Sequence, residues 1–275
     1  MTHQWSGAVE AVIEVGGAIA EMRRTLGEDI GRDRLAAQGR ADMYAHGRLN
    51  ELLTSMDPGV PVISEEDSTH AEDRPDVYWL IDPIDGTASW SGGFDGFVCQ
   101  LARIERGIAT FGAIHAPVLG LTWHAALGAG GFLNGRRLPL LEVPLTPRPP
   151  VVVDNYPQAR GVSRDLIEWL GDATYLESGS IGLKAALVAS GQADIFIKDV
   201  VVRDWDVAPA LALAAEVGTF LRRTDGSPFL LTGSYEKVDG LIAAANAELG
   251  NSIVRWMAKT RSGTGIRCGH EFPVP

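Results

Sequence analysis

Two aspartates three positions apart follow a short apolar run in the first third of the chain. Residues 77–81 are apolar, β-branched or aromatic, which predicts a buried strand. Asp82 and Asp85 come directly after it. Pro83 and Gly86 beside them predict a stiff turn, because proline fixes its own φ and glycine tolerates a sharp change of direction. Carboxylates on such a turn suit hard cations. Asp-Pro and Asp-Gly pairs are also common turn formers, so an ordinary turn stays open here.

A second group of acids follows another short predicted strand. Residues 60–63 are mainly apolar and run into Glu65, Glu66 and Asp67. Three successive acids usually form a solvated loop. Two neighbouring strands that both end in carboxylates can nevertheless converge on one cation, and we expect that convergence here.

Two more aspartates are predicted near helix starts. Asp206 precedes an apolar helical run that ends at Gly218, and Asp42 stands near the beginning of a helix expected to run to Leu53. A carboxylate at such a place caps free N–H groups, so capping and metal binding both stay open for these two residues. His46, one turn beyond Asp42, is interpreted as a packed or solvated histidine rather than a ligand.

Four of these acids form an all-oxygen donor set that contains no histidine or cysteine. Mg²⁺ prefers carboxylates together with waters and substrate phosphate. Two such ions roughly 3.5–4 Å apart can clamp the attacking and leaving oxygens of an in-line phosphoryl displacement. The set that predicts this chemistry is Glu65, Asp82, Asp85 and Asp206.

Composition narrows the class of protein. The 275 residues allow one large domain or two modest ones, and 45% hydrophobic with 21% charged residues is typical of a globular protein. No run approaches about 18 apolar residues and no secretory signal is evident, so we expect a cytoplasmic protein with no membrane partner. The net charge of −11 argues against a nucleic acid polymer. An acidic protein that acts on phosphate needs bound cations to reverse the local field.

The first half of the chain is predicted to hold two helices and then a mostly antiparallel sheet. Residues 5–26 have helical spacing, residues 27–40 form a polar segment, and residues 88–94 form a loop beside the site. The strands after that loop, of which the first two form a hairpin, are predicted at 97–104, 108–114 and 121–126.

The proline-rich run 143–150 predicts a boundary between an N-terminal α+β subdomain, residues 1–145, and a C-terminal α/β subdomain, residues 146–275. Ser163 is predicted to cap a helix that ends at residue 170. The other elements of this half are predicted as strands at 151–153, 194–197 and 241–245, helices at 180–190 and 207–217, and a last element at 253–257.

Three blocks, residues 63–67, 79–87 and 205–208, resemble in order and spacing the signatures of the inositol monophosphatase superfamily. These lithium-sensitive, Mg²⁺-dependent phosphatases also include 3'(2'),5'-bisphosphate nucleotidases, histidinol-phosphate phosphatases and a class of fructose-1,6-bisphosphatases. The resemblance covers nearly the whole chain. It implies an α/β fold (α+β, layered αβαβα), a homodimer, two or three Mg²⁺ ions and a small phosphorylated metabolite as substrate.

The resemblance also implies metal ligands at the matching positions. Glu65, Asp82 and the backbone carbonyl of Ile84 would hold the first ion. Asp82, Asp85 and Asp206 would hold the second.

Further roles follow from the same resemblance. Asp42 and Glu66, through water, would help Glu65 to place a weaker third ion. Thr87, paired with Glu65, would orient the metal-activated water that attacks phosphorus, so that Glu65, Thr87 and Asp82 are the catalytic residues. The N–H groups of Gly86 and Thr87 would bind phosphate oxygens.

Within the group, residues 42–46, 61–67 and 78–82 look most like the bisphosphate nucleotidase branch. That branch usually has Lys-Glu-Phe where this chain has residues 88–90. The glycine-rich residues 91–94 are more similar to the histidinol-phosphate phosphatase branch.

The substrate-selecting position of the family falls near Lys198 and Asp199. Lys198 would bind a second phosphate and Asp199 would bind sugar or inositol hydroxyls, unless either is only a surface residue. Ser180 would line the adjacent wall. We therefore expect a nucleotide, inositol or sugar phosphate, with a bisphosphate nucleotide first. Inositol monophosphatase, histidinol-phosphate phosphatase and specialised pathway phosphatase activities are the alternatives, and a non-catalytic metal- or phosphate-binding regulator is an alternative of another class.

Overall fold

The apolar faces of the helices and strands are buried between five stacked layers. The computed structural model describes residues 5–26, 30–68, 74–139 and 148–261. Within these ranges a pair of helices, a sheet, a second pair of helices, a second sheet and a third pair of helices follow one another. This arrangement confirms the expected α/β fold with αβαβα layers.

The helices were mostly anticipated from their apolar spacing. None of those described has both the length and the apolar character that crossing a membrane requires. In the described ranges they are α1 Ser6–Leu26, α2 Ile30–Met56, α3 Thr87–Gly92, α4 Gly161–Leu170, α5 Ile181–Ala189, α6 Asp204–Val217 and α7 Ala247–Arg261.

Sheet 1 is built from consecutive strands of the first half of the chain. Its first two strands are parallel and its other neighbours are antiparallel, as predicted for this half. Its described strands, in spatial and chain order, are β1 Val62–Ser64, β2 Val77–Asp85, β3 Val98–Glu105, β4 Ile108–Ala116, β5 Leu121–Ala126, β6 Gly130–Leu133 and β7 Arg136–Arg137.

Sheet 2 mixes parallel and antiparallel pairs in the spatial order β12-β14-β10-β8-β9. Its described strands are β8 Val151–Asp154, β9 Thr174–Glu177, β10 Ile195–Lys198, β12 Phe220–Arg222 and β14 Leu241–Ala244. A separate antiparallel pair is formed by β11 Val202–Arg203 and β13 Glu236–Lys237. The predicted subdomain boundary falls mainly on residues 140–147, outside the described residues, so the division stays a prediction.

Strand β2 is buried on both faces, and its alternation decides which layer each side chain enters. Trp79 packs with α1 and α2 on one face, whereas Tyr78 and Leu80 pack with α5 and α6 on the other. Because successive side chains point to opposite faces, Asp82 shares the face of Tyr78 and Leu80. The sheet therefore directs this acid toward the central helices.

Helix α2 begins at Ile30, so the prediction that it begins near Asp42 was wrong. Asp42 is buried inside the helix and does not cap it. Alanine has the highest helix propensity, and the helix carries small apolar residues at four-residue spacing that pack in the core with α1. These buried residues are Ala37, Ala41, Ala45, Leu49 and Leu53.

Two further local predictions were wrong. Residues 88–94 are not wholly a loop, because α3 occupies Thr87–Gly92 and its buried Trp90 donates its indole N–H to the Ile19 carbonyl at 3.0 Å. Ser163 lies inside α4 instead of capping it, and its hydroxyl donates to Asp154 Oδ2 at 2.6 Å. In both cases a contact distant in sequence fixes the local structure.

Gly112 on β4 allows α6 to approach sheet 1 closely. A Cβ atom at this position would lie 2.5 Å from the Pro209 carbonyl oxygen. We expect Gly112→Ala to lower the free energy of unfolding by about 1–3 kcal/mol, because the extra methyl must push the helix away. Thermal and urea unfolding of the purified variant measure this change.

Gly17→Ala is the matched control for that substitution. Gly17 lies on the exposed side of α1, and a Cβ there would meet nothing within 4 Å. We expect Gly17→Ala to raise the free energy of unfolding by about 0.5–1 kcal/mol, since alanine loses less backbone freedom than glycine in a helix. Equal midpoints for the two variants would contradict the close-approach explanation.

Candidate active site

Glu65, directly after β1, lies at the same edge of sheet 1 as Asp82 and Asp85, which belong to the last part of β2. The prediction that β2 ends before Asp82 was wrong, because its pairing with β3 continues to Asp85. The two strands β1 and β2 are parallel, with Ser64 opposite Ile81. The Glu65 N–H donates to the Ile81 carbonyl at 3.2 Å, which holds Glu65 beside the part of β2 that carries Asp82. The predicted convergence of the two strand ends is therefore present.

The first turn of α6 brings a third acid to this edge. Asp82, Asp85 and Asp206 each place a carboxylate oxygen so that the three oxygens lie within 4.8 Å of one another. The side chains of Asp82 and Asp85 are buried, whereas Asp206 is partly buried. Asp206 is the third residue of α6 and not its N-cap; its Oδ2 accepts from the Arg203 N–H at 2.8 Å.

Neutral N–H donors orient these carboxylates. The buried Gln100 side chain donates to Asp85 Oδ2 and to the Trp205 carbonyl, at 3.1 Å each. The Gly182 N–H donates to Asp85 Oδ2 at 2.6 Å. A Cβ atom at Gly182 would lie 2.0 Å from Gln100 Oε1, so only glycine fits between the amide and α5. These contacts fix the positions of the acids, and among the described residues no cationic side chain forms an ion pair with Asp82, Asp85 or Asp206.

The pKa values of these acids are raised, because the site holds an excess of negative charge. Burial raises the pKa of Asp82 well above its ordinary value, and the neighbouring carboxylates of Glu65, Asp85 and Asp206 raise it further. Burial also raises the pKa values of Asp206 and Glu65, and the charge of Asp85 adds to both. Asp82 Oδ1 has no hydrogen-bond partner among the described residues. A cation is what such a site needs.

Asp42 extends this acidic cluster from the side of α2. Burial, together with the charges of Glu66 and Glu65, raises the pKa of Asp42 to about 7. The three residues predicted to serve a third ion therefore lie within electrostatic reach of one another. His46 is half-buried on the same helix.

Gly86 and Thr87 form the start of α3, directly after Asp85. Gly86 adopts a left-handed conformation with φ of 89°, and a Cβ there would lie 2.9 Å from the Ser180 Cβ. Glycine is therefore required both by the turn and by the space. The Thr87 hydroxyl donates to the Ile84 carbonyl at 3.2 Å. A Thr87–Glu65 hydrogen bond and phosphate binding by these N–H groups stay predictions.

The predicted substrate residues occupy different environments. The Ser180 hydroxyl accepts from the Leu183 N–H at 3.2 Å as the N-cap of α5, and it also hydrogen bonds Asp85. Lys198 ends β10 and donates to Asn155 Oδ1 at 3.1 Å. Asp199 is exposed.

Three residues near the site were missed in the sequence. Lys184 is the single polar residue of an apolar helix, and Gln100 is a polar residue in the apolar first half of its strand, which is the signal that could have revealed them. Arg203 has its guanidinium 4.0 Å from Glu65 Oε1, but nothing in its local sequence separates it from a surface arginine.

Lys184 is buried close to the acids. Its ammonium donates to the Gly179 carbonyl and lies 4.9 Å from the centre of the Phe196 ring. Burial and the charge of Lys198 together lower its pKa to about 8, although the carboxylates of Asp154, Asp85 and Asp206 act in the opposite direction. Lys184 and Lys198 therefore present two neighbouring positive charges beside the acidic cluster.

Comparison of the sequence with known proteins identifies the family of this chain. The sequence profile of the inositol monophosphatase family matches residues 4–258. The chain is 33% identical over 190 residues to the 3'(2'),5'-bisphosphate nucleotidase CysQ of Escherichia coli K12, covering 68% of this chain and 76% of that protein. It is 32% identical over 177 residues to a fructose-1,6-bisphosphatase/inositol-1-monophosphatase of Thermotoga maritima, covering 64% of this chain and 67% of that one.

Solved structures share the fold. CysQ of Bacteroides thetaiotaomicron, described as a bacterial member of the inositol monophosphatase family, superposes with a TM-score of 0.77 at 20% identity over 90% of this chain and 99% of that chain. Inositol monophosphatase II of Staphylococcus aureus superposes with a TM-score of 0.76 at 19% identity over 94% and 96% of the two chains.

The raised carboxyl pKa values predict how stability depends on pH without metal. A folded-state pKa above the unfolded value means that the folded protein binds more protons, so stability falls as pH rises between the two values. Asp42→Asn removes one such group. We expect the free energy of unfolding of the variant to exceed that of the wild type only slightly near pH 4 and by about 1–3 kcal/mol at pH 7. Unfolding with chelator present measures this difference.

Asp165→Asn serves as the control, since Asp165 is an exposed residue of α4. Its unfolding free energy should follow the wild type across the whole pH range. If the free energies of unfolding of Asp42→Asn and the wild type changed with pH in parallel, the Asp42 carboxyl would not be a group that destabilises the folded protein at neutral pH.

Proposed function

Because this chain belongs to the inositol monophosphatase family, a family of phosphatases, we propose that it hydrolyses a phosphomonoester of a small metabolite with the help of Mg²⁺. We further propose a 3'(2'),5'-bisphosphate nucleotide as the substrate. The observation that carries the proposal is the group of buried acids held by neutral donors, with Asp82 Oδ1 left without a hydrogen-bond partner in the part of the chain that the structure describes. The lysine pair beside that group favours the bisphosphate.

The donor set fits divalent magnesium. All the side-chain donors are carboxylate oxygens, which Mg²⁺ prefers over nitrogen or sulfur. Glu65, Asp82 and the Ile84 carbonyl would hold one ion, and Asp82, Asp85 and Asp206 would hold another. When bound, the ions would supply Lewis-acid neutralisation of charge on the transferring phosphoryl group.

The chain's own residues would then orient the reactants. Glu65, whose pKa is raised by burial and by Asp85, would accept a proton on its carboxylate from the attacking water. Thr87 would help to orient that water, and the N–H groups of Gly86 and Thr87 would bind phosphate oxygens. Gln100 would keep the acids fixed throughout, since phosphoryl transfer depends on positioning and electrostatic stabilisation more than on covalent help.

Two lysines support a substrate with a second phosphate. The charge of Lys198 lowers the pKa of Lys184, so an anion bound between them would relieve a repulsion that exists without it. The Tyr156 ring lies 6.0 Å from the Lys198 ammonium. Its backbone is fixed on both sides by the Tyr175 hydroxyl, which donates to the Tyr156 carbonyl at 2.6 Å and accepts from its N–H at 3.3 Å. Two cations and a fixed ring suit a nucleotide better than a neutral polyol.

The names of similar proteins also support a bisphosphate nucleotide as the substrate. Those at 33% identity are named as 3'(2'),5'-bisphosphate nucleotidases. The exposed Asp199 leaves inositol or sugar hydroxyls as the second type of group to test. A homodimer, a cytoplasmic location and the presence of two or three Mg²⁺ ions complete the proposal.

Phosphate release with Mg²⁺ tests the activity. We expect adenosine 3',5'-bisphosphate to be hydrolysed faster than inositol 1-phosphate, histidinol phosphate or fructose 1,6-bisphosphate, and chelator to abolish release. Asp85→Asn should reduce turnover by at least about 10³-fold while the circular dichroism spectrum stays native, since the carboxylate would be a metal ligand.

Asp172→Asn, a change on the exposed surface, should retain full activity. An Asp85→Asn enzyme as active as the wild type would reject the metal assignment. Metal binding without release from any of these substrates would favour a non-catalytic regulator.

Substitution of the lysines tests the second-phosphate site. Lys198→Met and Lys184→Met should each raise the KM for adenosine 3',5'-bisphosphate by about 10-fold or more, through loss of a charge-assisted contact. The KM for adenosine 5'-phosphate should change less, because it has no second phosphate. Initial rates with the two substrates give both values.

The pKa of Lys184, about 8, adds a pH test. Above pH 8 the lysine loses its positive charge, so the KM of the wild type should rise between pH 8 and 9 more steeply than that of Lys184→Met. Identical pH profiles in the two enzymes would exclude Lys184 from anion binding.

A further inference from the structure

A second charged cluster is buried directly beside the acidic site and is not part of it. Asp204 is fully buried at the first position of α6. Arg74 Nη2 lies 2.6 Å from Asp204 Oδ2, and Lys237 Nζ lies 3.2 Å from Asp204 Oδ1. The side chains of Arg74 and Lys237 are only 7% and 10% exposed. We call these three residues the Asp204 cluster.

The cluster joins three segments that are distant in sequence. Arg74 precedes β2, Asp204 begins α6, and Lys237 ends β13. Arg74 also donates to the Tyr78 hydroxyl at 3.1 Å and to the Gly233 carbonyl at 2.8 Å. One guanidinium thus holds the start of the strand that carries Asp82 and Asp85 against the helix that carries Asp206.

Aromatic packing makes the same connection more rigid. The Arg74 guanidinium lies 3.7 Å from the centre of the Tyr235 ring, and that ring packs against Trp205 at 5.6 Å. The Asp204 N–H donates to the Tyr235 carbonyl at 2.9 Å. Each of the first two residues of α6 is therefore held by the 233–237 segment.

Energetics do not explain the cluster as a stabilising device. Removing charges from water is costly, and well-packed apolar residues often replace a buried ion pair with no loss of stability. What such a cluster provides is directional contacts that fix one arrangement of the segments it joins. The residue whose position depends most directly on that arrangement is Asp206, two places beyond Asp204.

We propose that Arg74, Asp204 and Lys237 are positioning residues that hold Asp206 in register with Asp82 and Asp85 for metal binding. The inference rests on the proposed metal site but not on the identity of the substrate. Without the cluster, the first turn of α6 keeps the Arg203 N–H bond to Asp206 and the Gln100 bond to the Trp205 carbonyl. Neither of these contacts ties the helix to the start of β2.

Direct binding of Mn²⁺ as a probe for Mg²⁺ tests the proposal without substrate. Titration calorimetry or electron paramagnetic resonance gives its Kd well below the unfolding temperature of each variant. Asp204→Asn should raise the Kd by about 10–100-fold, the range found when groups that orient metal ligands are removed. An unchanged Kd in a folded Asp204→Asn protein overturns the proposal.

Arg74→Lys provides a second test if Asp204→Asn fails to fold. Lysine keeps the charge but cannot reach Asp204, Tyr78 and Gly233 at once, because it lacks the planar fork of arginine. We expect a Kd raised at least about 3-fold with a native circular dichroism spectrum. A wild-type Kd in this variant counts against positioning by the cluster.

Asp57→Asn is the matched control for loss of an ion pair. Asp57 pairs with Arg103 at 3.1 Å, in a part of sheet 1 away from the acids. Its unfolding temperature should fall while its Mn²⁺ Kd stays within about 2-fold of the wild type. A Kd that rises in this control as much as in Asp204→Asn would mean that general destabilisation, not positioning, weakens binding. If the wild type itself binds no Mn²⁺, the proposed metal-dependent function fails instead.

Discussion

Repulsion between carboxylates held close together in a buried place is the constraint on which the rest of this structure depends. Asp82, Asp85 and Asp206 lie within 4.8 Å of one another, and burial raises the pKa of each. Neighbouring carboxylates raise the pKa values of Asp82 and Asp206 further, because like charge opposes ionisation. A less rigid protein would let these side chains separate into water. Here neutral N–H groups from Gln100, Gly182 and the backbone of Arg203 hold them in place. The energy stored in this arrangement is available to a cation, which links stability to metal binding.

The position of α6, which carries Asp206, is fixed by close packing and by buried contacts. Gly112 lets the helix lie against sheet 1, and Gly182 lets α5 lie against the Gln100 amide. Asp204 then fixes the first turn of α6 through two buried cations. The Asp204 carboxylate is thus paired with cations, whereas the carboxylates of Asp85 and Glu65 are the charges that raise the pKa of Asp206, two residues later. That contrast separates a group that holds structure from a group that is free to bind a metal.

The residues proposed to select the substrate lie beside the acids but are distinct from them. The family fold is shared with proteins named for inositol monophosphate, fructose 1,6-bisphosphate and bisphosphate nucleotides. A fold does not imply a substrate, because the groups that contact it are few and replaceable. Under the proposed function, those groups lie around β10 and the loop after β8, where Lys184, Lys198 and Tyr156 are close to one another. The chemistry of that wall is the basis for preferring a second phosphate.

The sequence by itself indicated the strand ends that carry Glu65 and Asp82 and the acids that approach one another, because apolar period and strand-end carboxylates are local patterns. The layered fold was anticipated from the resemblance of three sequence blocks to the inositol monophosphatase superfamily. The sequence misplaced the start of α2, since alanines at four-residue spacing are a weak apolar signal. It also missed α3 and the hydroxyl contact of Ser163, which depend on Ile19 and Asp154 far away in the chain. Only the tertiary structure decided that Gln100 and Lys184 face the site. It also decided that Asp204 forms two ion pairs, whereas Asp206 forms none with the residues that the structure describes. Those properties arise from burial and from neighbours brought together by folding, and no short segment encodes them.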